Sequence, residues 1–183
     1  MTTYHQQLIS LITQDMHRVA ALDAVARLDL PQCYIAAGFV RNLVWDYLHN
    51  NVLPTPLSDV DVIYFDRSED DAMQQSHYEK RLSAVMPELN WQVRNQAIMH
   101  VRNGDPVYES TLDAMRYWPE QETAVAVRKV DDNTYQVISA FGLASLFAGM
   151  ITPNPRRCLE TFNDRLVSKG WLEQWPKLHV ARA

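Results

Sequence analysis

The run Asp59-Val60-Asp61-Val62-Ile63-Tyr64-Phe65 constrains the fold of this chain more than any other stretch. Its β-branched and aromatic residues favour a strand, and the strand period of two sends Val60 and Val62 to one side and both aspartates to the other. One face can therefore join a core, while the opposite face carries two carboxylates with Cα atoms ~6.6 Å apart. With the carboxylates ~5 Å apart at an effective dielectric of ~20, the charges repel by roughly 3 kcal/mol. Aspartate is also a poor strand former, so something should compensate. A divalent ion, Mg²⁺ or Mn²⁺, does so directly, because hard cations accept carboxylate oxygens together with phosphate oxygens of a bound nucleotide.

The residues just upstream supply a partner for such an ion. Cys33-Tyr34-Ile35-Ala36-Ala37 is a short apolar run ending at Gly38, after which Val40, Leu43, Val44, Tyr47 and Leu48 recur at helical spacing. A glycine there lets a phosphate approach the backbone, and the helix that follows presents unpaired N–H groups to an anion. Arg41 falls in the first turn, well placed for a guanidinium that holds the same phosphates. Asn50-Asn51 and Pro54-Thr55-Pro56 break the helix, and the loop delivers Leu57 and Ser58 to the aspartate strand. Strand, glycine, helix with arginine, loop and strand with paired aspartates form one coherent anion-and-metal site.

Elsewhere the pattern alternates between helix and strand. Leu8, Leu11, Ile12, Met16 and Val19 predict one amphipathic helix over the first ~25 residues. Ser68 before Glu69, Asp70 and Asp71 predicts an N-cap, with the helix running to Pro87. Trp91 to Met99 reads as a strand, Ser110 opens a short helix, and Ala124 to Val130 with Thr134 to Ala140 form a hairpin in which Asn133 takes a left-handed turn. Phe141 to Met150 and Pro155 to Lys169 read as closing helices, with Gly170 past the end of the second. The expected fold is α+β: one domain over 1–183, a mixed twisted sheet of about five strands, and helices mainly on one face.

With 47% hydrophobic residues and a net charge of −5, the chain reads as globular, without a broad electrostatic grip on nucleic acid or an anionic membrane. Met1 to Ser10 lacks a signal-peptide pattern, so a cytoplasmic location is expected. Cys33 and Cys158 show no CxxC spacing and are expected as reduced, buried thiols.

Gly38-Phe39-Val40-Arg41-Asn42 followed by Asp59-Val60-Asp61 resembles the DNA-polymerase-beta-like nucleotidyltransferase superfamily, above all its bacterial tRNA CCA-adding enzymes and poly(A) polymerases. From Ile35 to Leu178, including Ala114-Met115-x-x-Trp118-Pro119, the chain is similar to a family of small bacterial nucleotidyltransferase-like proteins. The resemblance implies a transfer of a nucleotidyl group from a nucleoside triphosphate to a hydroxyl acceptor. Asp59 and Asp61 would be the catalytic metal ligands, and Gly38, Arg41, Ser58 and Asn95 the nucleotide contacts. A small molecule or a protein is the expected acceptor.

Three departures keep an alternative open. Ala37 stands where the superfamily has its first glycine, and Asn42 replaces the aspartate of the CCA-adding pattern. Trp91 to Asn103 holds no Asp or Glu, although the superfamily's third carboxylate sits on the strand beside the pair. Asn95 is the nearest polar substitute, and its alternation with Trp91 and Val93 fits a buried amide equally. Asp66, Asp105 and Asp113 are other sources of an acid, with Asp113 also fitting a capping box with Ser110. His100 is a candidate base and Arg156-Arg157 a candidate anion contact. A nucleotide-binding module that has lost catalysis is thus the alternative, and a structural interaction domain the third.

Overall fold

The computed structural model describes residues 3–71 and 73–181. Two helices, α1 (Tyr4–Gln14) and α2 (Met16–Ala26), lead to strand β1 (Tyr34–Ala36), helix α3 (Gly38–His49) and strand β2 (Asp59–Tyr64). Next come α4 (Gln74–Val85), β3 (Asn90–Asn95), α5 (Gln96–Asn103), α6 (Thr111–Met115) and the hairpin β4 (Val125–Asp131) and β5 (Thr134–Ser139). The chain finishes with α7 (Ala144–Phe147), β6 (Met150–Ile151), α8 (Leu159–Lys169), α9 (Trp171–Gln174) and β7 (His179–Val180). Among the described residues no helix is long and apolar enough to cross a membrane.

The main sheet has five strands in the order β3-β2-β1-β4-β5. It is mixed, as expected: β2 and β3 run parallel, and the other neighbours are antiparallel. Register makes the two faces explicit, since Val62 lies beside Ile35 and Val93, while Asp61 lies beside Ala36 and Gln92. The first face holds the main core, where Leu8, Leu22, Val40, Trp45, Tyr78 and Leu82 from the helices cover Ile35, Val60, Val62, Val93 and Val127. Only a small cluster around Ala36, Ile63, Met115 and Ala126 covers the second, so one end of that face stays open for the aspartates.

Several expected elements are drawn differently, each for a local reason. The N-terminal helix is two helices, because Asp15 leaves helical geometry and accepts hydrogen bonds from the amides of His17 and Arg18 to cap the second. Ser68 starts no helix: its amide and hydroxyl both donate to Asp66, and α4 begins six residues later, at Gln74. The third strand ends at Asn95, whose carboxamide caps α5, so Met99 and His100 are helical. Asn133 keeps a negative φ, and the helix expected from Phe141 shrinks to Ala144–Phe147 before Gly149 turns the chain at φ 68°. Asn154 delays the last long helix, since its carboxamide bonds the carbonyls of Arg116 and Trp118 and the amide of Arg156. Cys33 is buried as expected; Cys158, at the start of α8, is exposed.

Candidate active site

The site is assembled where β1 gives way to α3. Ala37 adopts φ 56°, ψ −123°, a conformation that glycine takes easily and alanine does not. Its carbonyl accepts the amides of Val40 and Arg41, which starts the helix one residue later. Gly38 contributes space: a Cβ added there would meet the Asn42 amide nitrogen at 3.4 Å and the Arg41 guanidinium at 3.7 Å. The two positions of the superfamily's glycine pair therefore do different things, the first turning the backbone and the second keeping the helix N-terminus open.

A buried carboxylate then fixes the loop to β2. Asp46, 4% exposed on α3, accepts hydrogen bonds from the Asn51 side chain at 2.8 Å, from the amide and hydroxyl of Thr55 at 2.8 and 2.7 Å, and from the Trp175 indole at 2.8 Å. One residue thus ties the loop carrying Ser58 to the C-terminal segment that closes the site from above. Its only sequence signal is an acid at a core-facing position of an otherwise apolar helix face.

Together these elements frame a cleft of about 370 Å³ that brings together Gly38, Arg41, Ser58, Asp59 and Asp61. Asp61 is partly buried, and burial first and Asp59 second push its carboxyl above the usual range; Arg41, Lys169 and Arg94 oppose the shift. Asp59 is exposed and accepts a hydrogen bond from Asn90 at 2.5 Å. Loss of water therefore contributes more to this shift than the repulsion between the paired aspartates.

Arg41 lies between the rings of Trp45 and Trp171, at 4.7 and 4.4 Å from their centroids. Its Nη1 donates to the Thr123 hydroxyl at 2.6 Å, and Nε and Nη2 to Asn42 Oδ1 at 3.2 and 3.0 Å. Burial pushes its pKa down to about 10, partly restored by the nearby Glu120, so it stays cationic at neutral pH. Asn42, which replaces an expected aspartate, therefore orients this arginine without neutralising it.

Asn95 does not belong to the cleft. It pairs with Tyr64 at the far end of β2, on the core face, and is fully buried. Parity is the reason: Asn90, Gln92 and Arg94 share the aspartate face, so the residue beside Asp61 is Gln92. Asp66, Asp105 and Asp113 are also occupied elsewhere, the first with Ser68, the second with Arg157 and Tyr108, and the third with Arg116 and the Glu109 amide. Arg157 is thereby a structural ion pair, and Arg156 rests over Tyr117. His100 lies against Tyr108 on α5, outside the cleft.

The C-terminal wall was missed. Arg165 and Lys169 of α8, with Trp171 and Gln174 of α9, line the cleft opposite the aspartates. Arg165 reaches the buried Glu120 at 2.5 and 3.3 Å. Their four-residue spacing puts both cations on one helix face, a signal visible in the sequence but not attributable to a site more than 100 residues upstream. Among the described residues no three His, Cys, Asp or Glu side chains are grouped to hold an ion. Two carboxylates, one lacking a hydrogen bond to any described residue, suit a hard ion completed by phosphate and water rather than a protein cage.

Fold and cleft together define a polymerase-beta-like nucleotidyltransferase domain. Residues 23–180 match the nucleotidyltransferase family model, and the chain belongs to that family. A solved protein described as revealing a CCA-adding enzyme head domain is 26% identical, with a TM-score of 0.86 over 100% of this chain and 98% of its own. A CCA-adding enzyme in complex with CTP superposes with a TM-score of 0.58 at 16% identity, over 96% of this chain but 43% of that enzyme, and a tRNA-processing enzyme in apo form with 0.54 at 16%, over 88% and 45%. These last two show the fold alone, and this chain spans less than half their length. A search of curated proteins finds no match.

Proposed function

We propose that this chain moves a nucleotidyl group from a nucleoside triphosphate to a hydroxyl of a small molecule or a protein, with Mg²⁺ or Mn²⁺ bound by Asp59 and Asp61. The observation that carries this reading is the shared cleft: paired carboxylates on β2 face the open N-terminus of α3, with Arg41 beside it. Gly38 leaves room for phosphate against the helix N-terminus, Arg41 holds negative charge from a fixed position between two tryptophans, and Ser58 lines the cleft next to Asp59. A bound divalent ion supplies charge stabilisation at the α-phosphorus and the departing pyrophosphate. CTP in the structurally similar CCA-adding enzyme supports a triphosphate as the donor. The net charge of −5 supports an acceptor other than an extended nucleic acid.

Gln92 favours a second reading, a nucleotide-binding module without turnover. It occupies the place beside Asp61 where the superfamily's third carboxylate is expected, and an amide can neither ligate a second cation strongly nor take a proton. Isothermal titration with each triphosphate and Mg²⁺ or Mn²⁺, paired with a pyrophosphate-release assay on candidate acceptors, separates the two. Transfer that falls by about 10²-fold or more in Asp61→Asn is expected for the enzyme. Metal-dependent binding with no pyrophosphate release identifies the module, and transfer that survives Asp61→Asn removes the proposed mechanism.

A further inference from the structure

Among the described residues three cations line the cleft, and they differ in what they already hold. Arg41 has Nε, Nη1 and Nη2 engaged by Asn42 and Thr123 and is 6% exposed. Arg165 gives Nε and Nη2 to Glu120, itself 1% exposed. Lys169 is exposed at the last turn of α8 and makes neither a hydrogen bond nor an ion pair with any other described side chain. Its three N–H donors are available to a ligand.

The chain around Lys169 places it on the cleft wall with its side chain exposed. Gly170 takes φ 61°, ends α8 and turns directly into α9, where Trp171 stacks on Arg41. The backbone of residue 169 is thus tied to the cleft floor through its second neighbour, while the ammonium remains on the solvent side. A cation at the end of a helix also complements the helix dipole, but that role needs no position in the cleft. Glu120 already offsets Arg165, so Arg41 and Lys169 are the cleft cations with no carboxylate bound to them among the described residues.

We propose that Lys169 grips the β- and γ-phosphates of the bound triphosphate, so that this cleft recognises a polyphosphate chain rather than a lone phosphate. This rests on the nucleotide reading above. With the α-phosphorus down at the partly buried Asp61, the remaining phosphates extend toward the mouth, where the ammonium is the cation without a protein partner. Lysine suits the task because its compact charge follows a phosphate that leaves as pyrophosphate, whereas a fixed guanidinium does not.

The test compares the full chain with Lys169→Met and Lys169→Arg, using inorganic tripolyphosphate, a nucleoside triphosphate and the matching monophosphate as titrants with Mg²⁺. Lys169→Met should weaken both the tripolyphosphate and the triphosphate about tenfold, the loss of one charge-assisted contact, and leave the monophosphate within about twofold. Lys169→Arg should restore most of the affinity, and the wild-type advantage should shrink with added salt. Equal triphosphate affinity in wild type and Lys169→Met, or an equal loss for the monophosphate, overturns the assignment while leaving the nucleotide reading intact. A wild type that binds neither polyphosphate nor triphosphate overturns both. Tripolyphosphate bound without any nucleotide retains Lys169 and removes the nucleotide.

Discussion

The two ends of the β2–β3 pair carry polar residues of similar type in opposite states of completion. At the far end the Tyr64 hydroxyl donates to Glu69 at 2.6 Å, and the Asn95 carboxamide bonds the Asp66 carbonyl at 2.7 Å, the Asp66 amide at 3.1 Å and the Ala97 amide at 3.0 Å. Burial and the bond to Glu69 push the Tyr64 phenol upward, so it stays a neutral donor. That network is closed. At the near end the Asp61 carboxylate accepts no hydrogen bond from any described residue and its charged form is disfavoured, while an unpaired lysine lines the same cleft. Saturated polar groups hold the fold together; groups left short of partners are available to a ligand.

Breaking the closed end should produce the larger loss of stability. Asn95→Ala strands the Asp66 amide and carbonyl and the Ala97 amide in a region where Asn95 itself is fully buried. A cost of about 3 kcal/mol is expected, because each stranded buried group costs about 1–3 kcal/mol and the loop can recover part of it. Urea denaturation measures this directly. Metal-dependent triphosphate binding extrapolated to the folded fraction should be unchanged, and a loss of affinity would return Asn95 to the nucleotide site.

Breaking the open end should do the reverse. Asp61→Asn is expected to raise the melting temperature of the ligand-free protein by a few degrees and to abolish the extra stabilisation that a triphosphate and Mg²⁺ give together. The sign follows from the raised carboxyl: the folded state holds the proton more tightly than the unfolded chain, so ionised Asp61 costs stability at pH 7. That cost is complete above the folded value, declines as pH falls through it, and vanishes below the ordinary 3.8. The advantage of Asp61→Asn should therefore fade on acidification, and an advantage independent of pH would show that shape rather than charge is responsible.

The same contrast explains what could be read in the sequence. Gly38, Arg41, Ser58, Asp59 and Asp61 lie within 24 residues, and helix and strand periods alone place them on one side. Arg165, Lys169 and Trp171 reach the cleft through the packing of Trp171 against Trp45 and the hydrogen bond of Trp175 to Asp46, contacts spanning more than 100 residues that no local pattern encodes. Of the two readings open for Asn95, nucleotide contact or buried amide, parity favours the second: three residues from Gln92, it faces the other way. The sheet and its helices were legible wherever the apolar period was long. Boundaries set by one side chain, such as Asp15, Asn95 and Asn154, depend on which partner a polar group finds.

The smallest effect concerns the turn that joins the two halves of the site. Ala37 holds φ 56° with ψ −123°, outside the left-handed helical well that non-glycine residues tolerate best, and strain of this kind costs about 1–3 kcal/mol. Ala37→Gly relieves it, but offsetting losses arise from the greater freedom of the unfolded chain, about 0.5–1 kcal/mol, and from a methyl group packed near Ala36 and Ile63, about 0.8 kcal/mol. A net gain of about 0.5 kcal/mol is expected, about 1–2 °C in melting temperature for a chain of this size. Gly38→Ala should behave differently, since position 38 has no positive φ: stability stays within about 0.5 kcal/mol, while the added Cβ beside Asn42 and Arg41 narrows the phosphate approach and weakens triphosphate binding. If Ala37→Gly instead destabilises, the methyl packing outweighs the strain, and the alanine at this turn is a core residue rather than a tolerated departure from glycine.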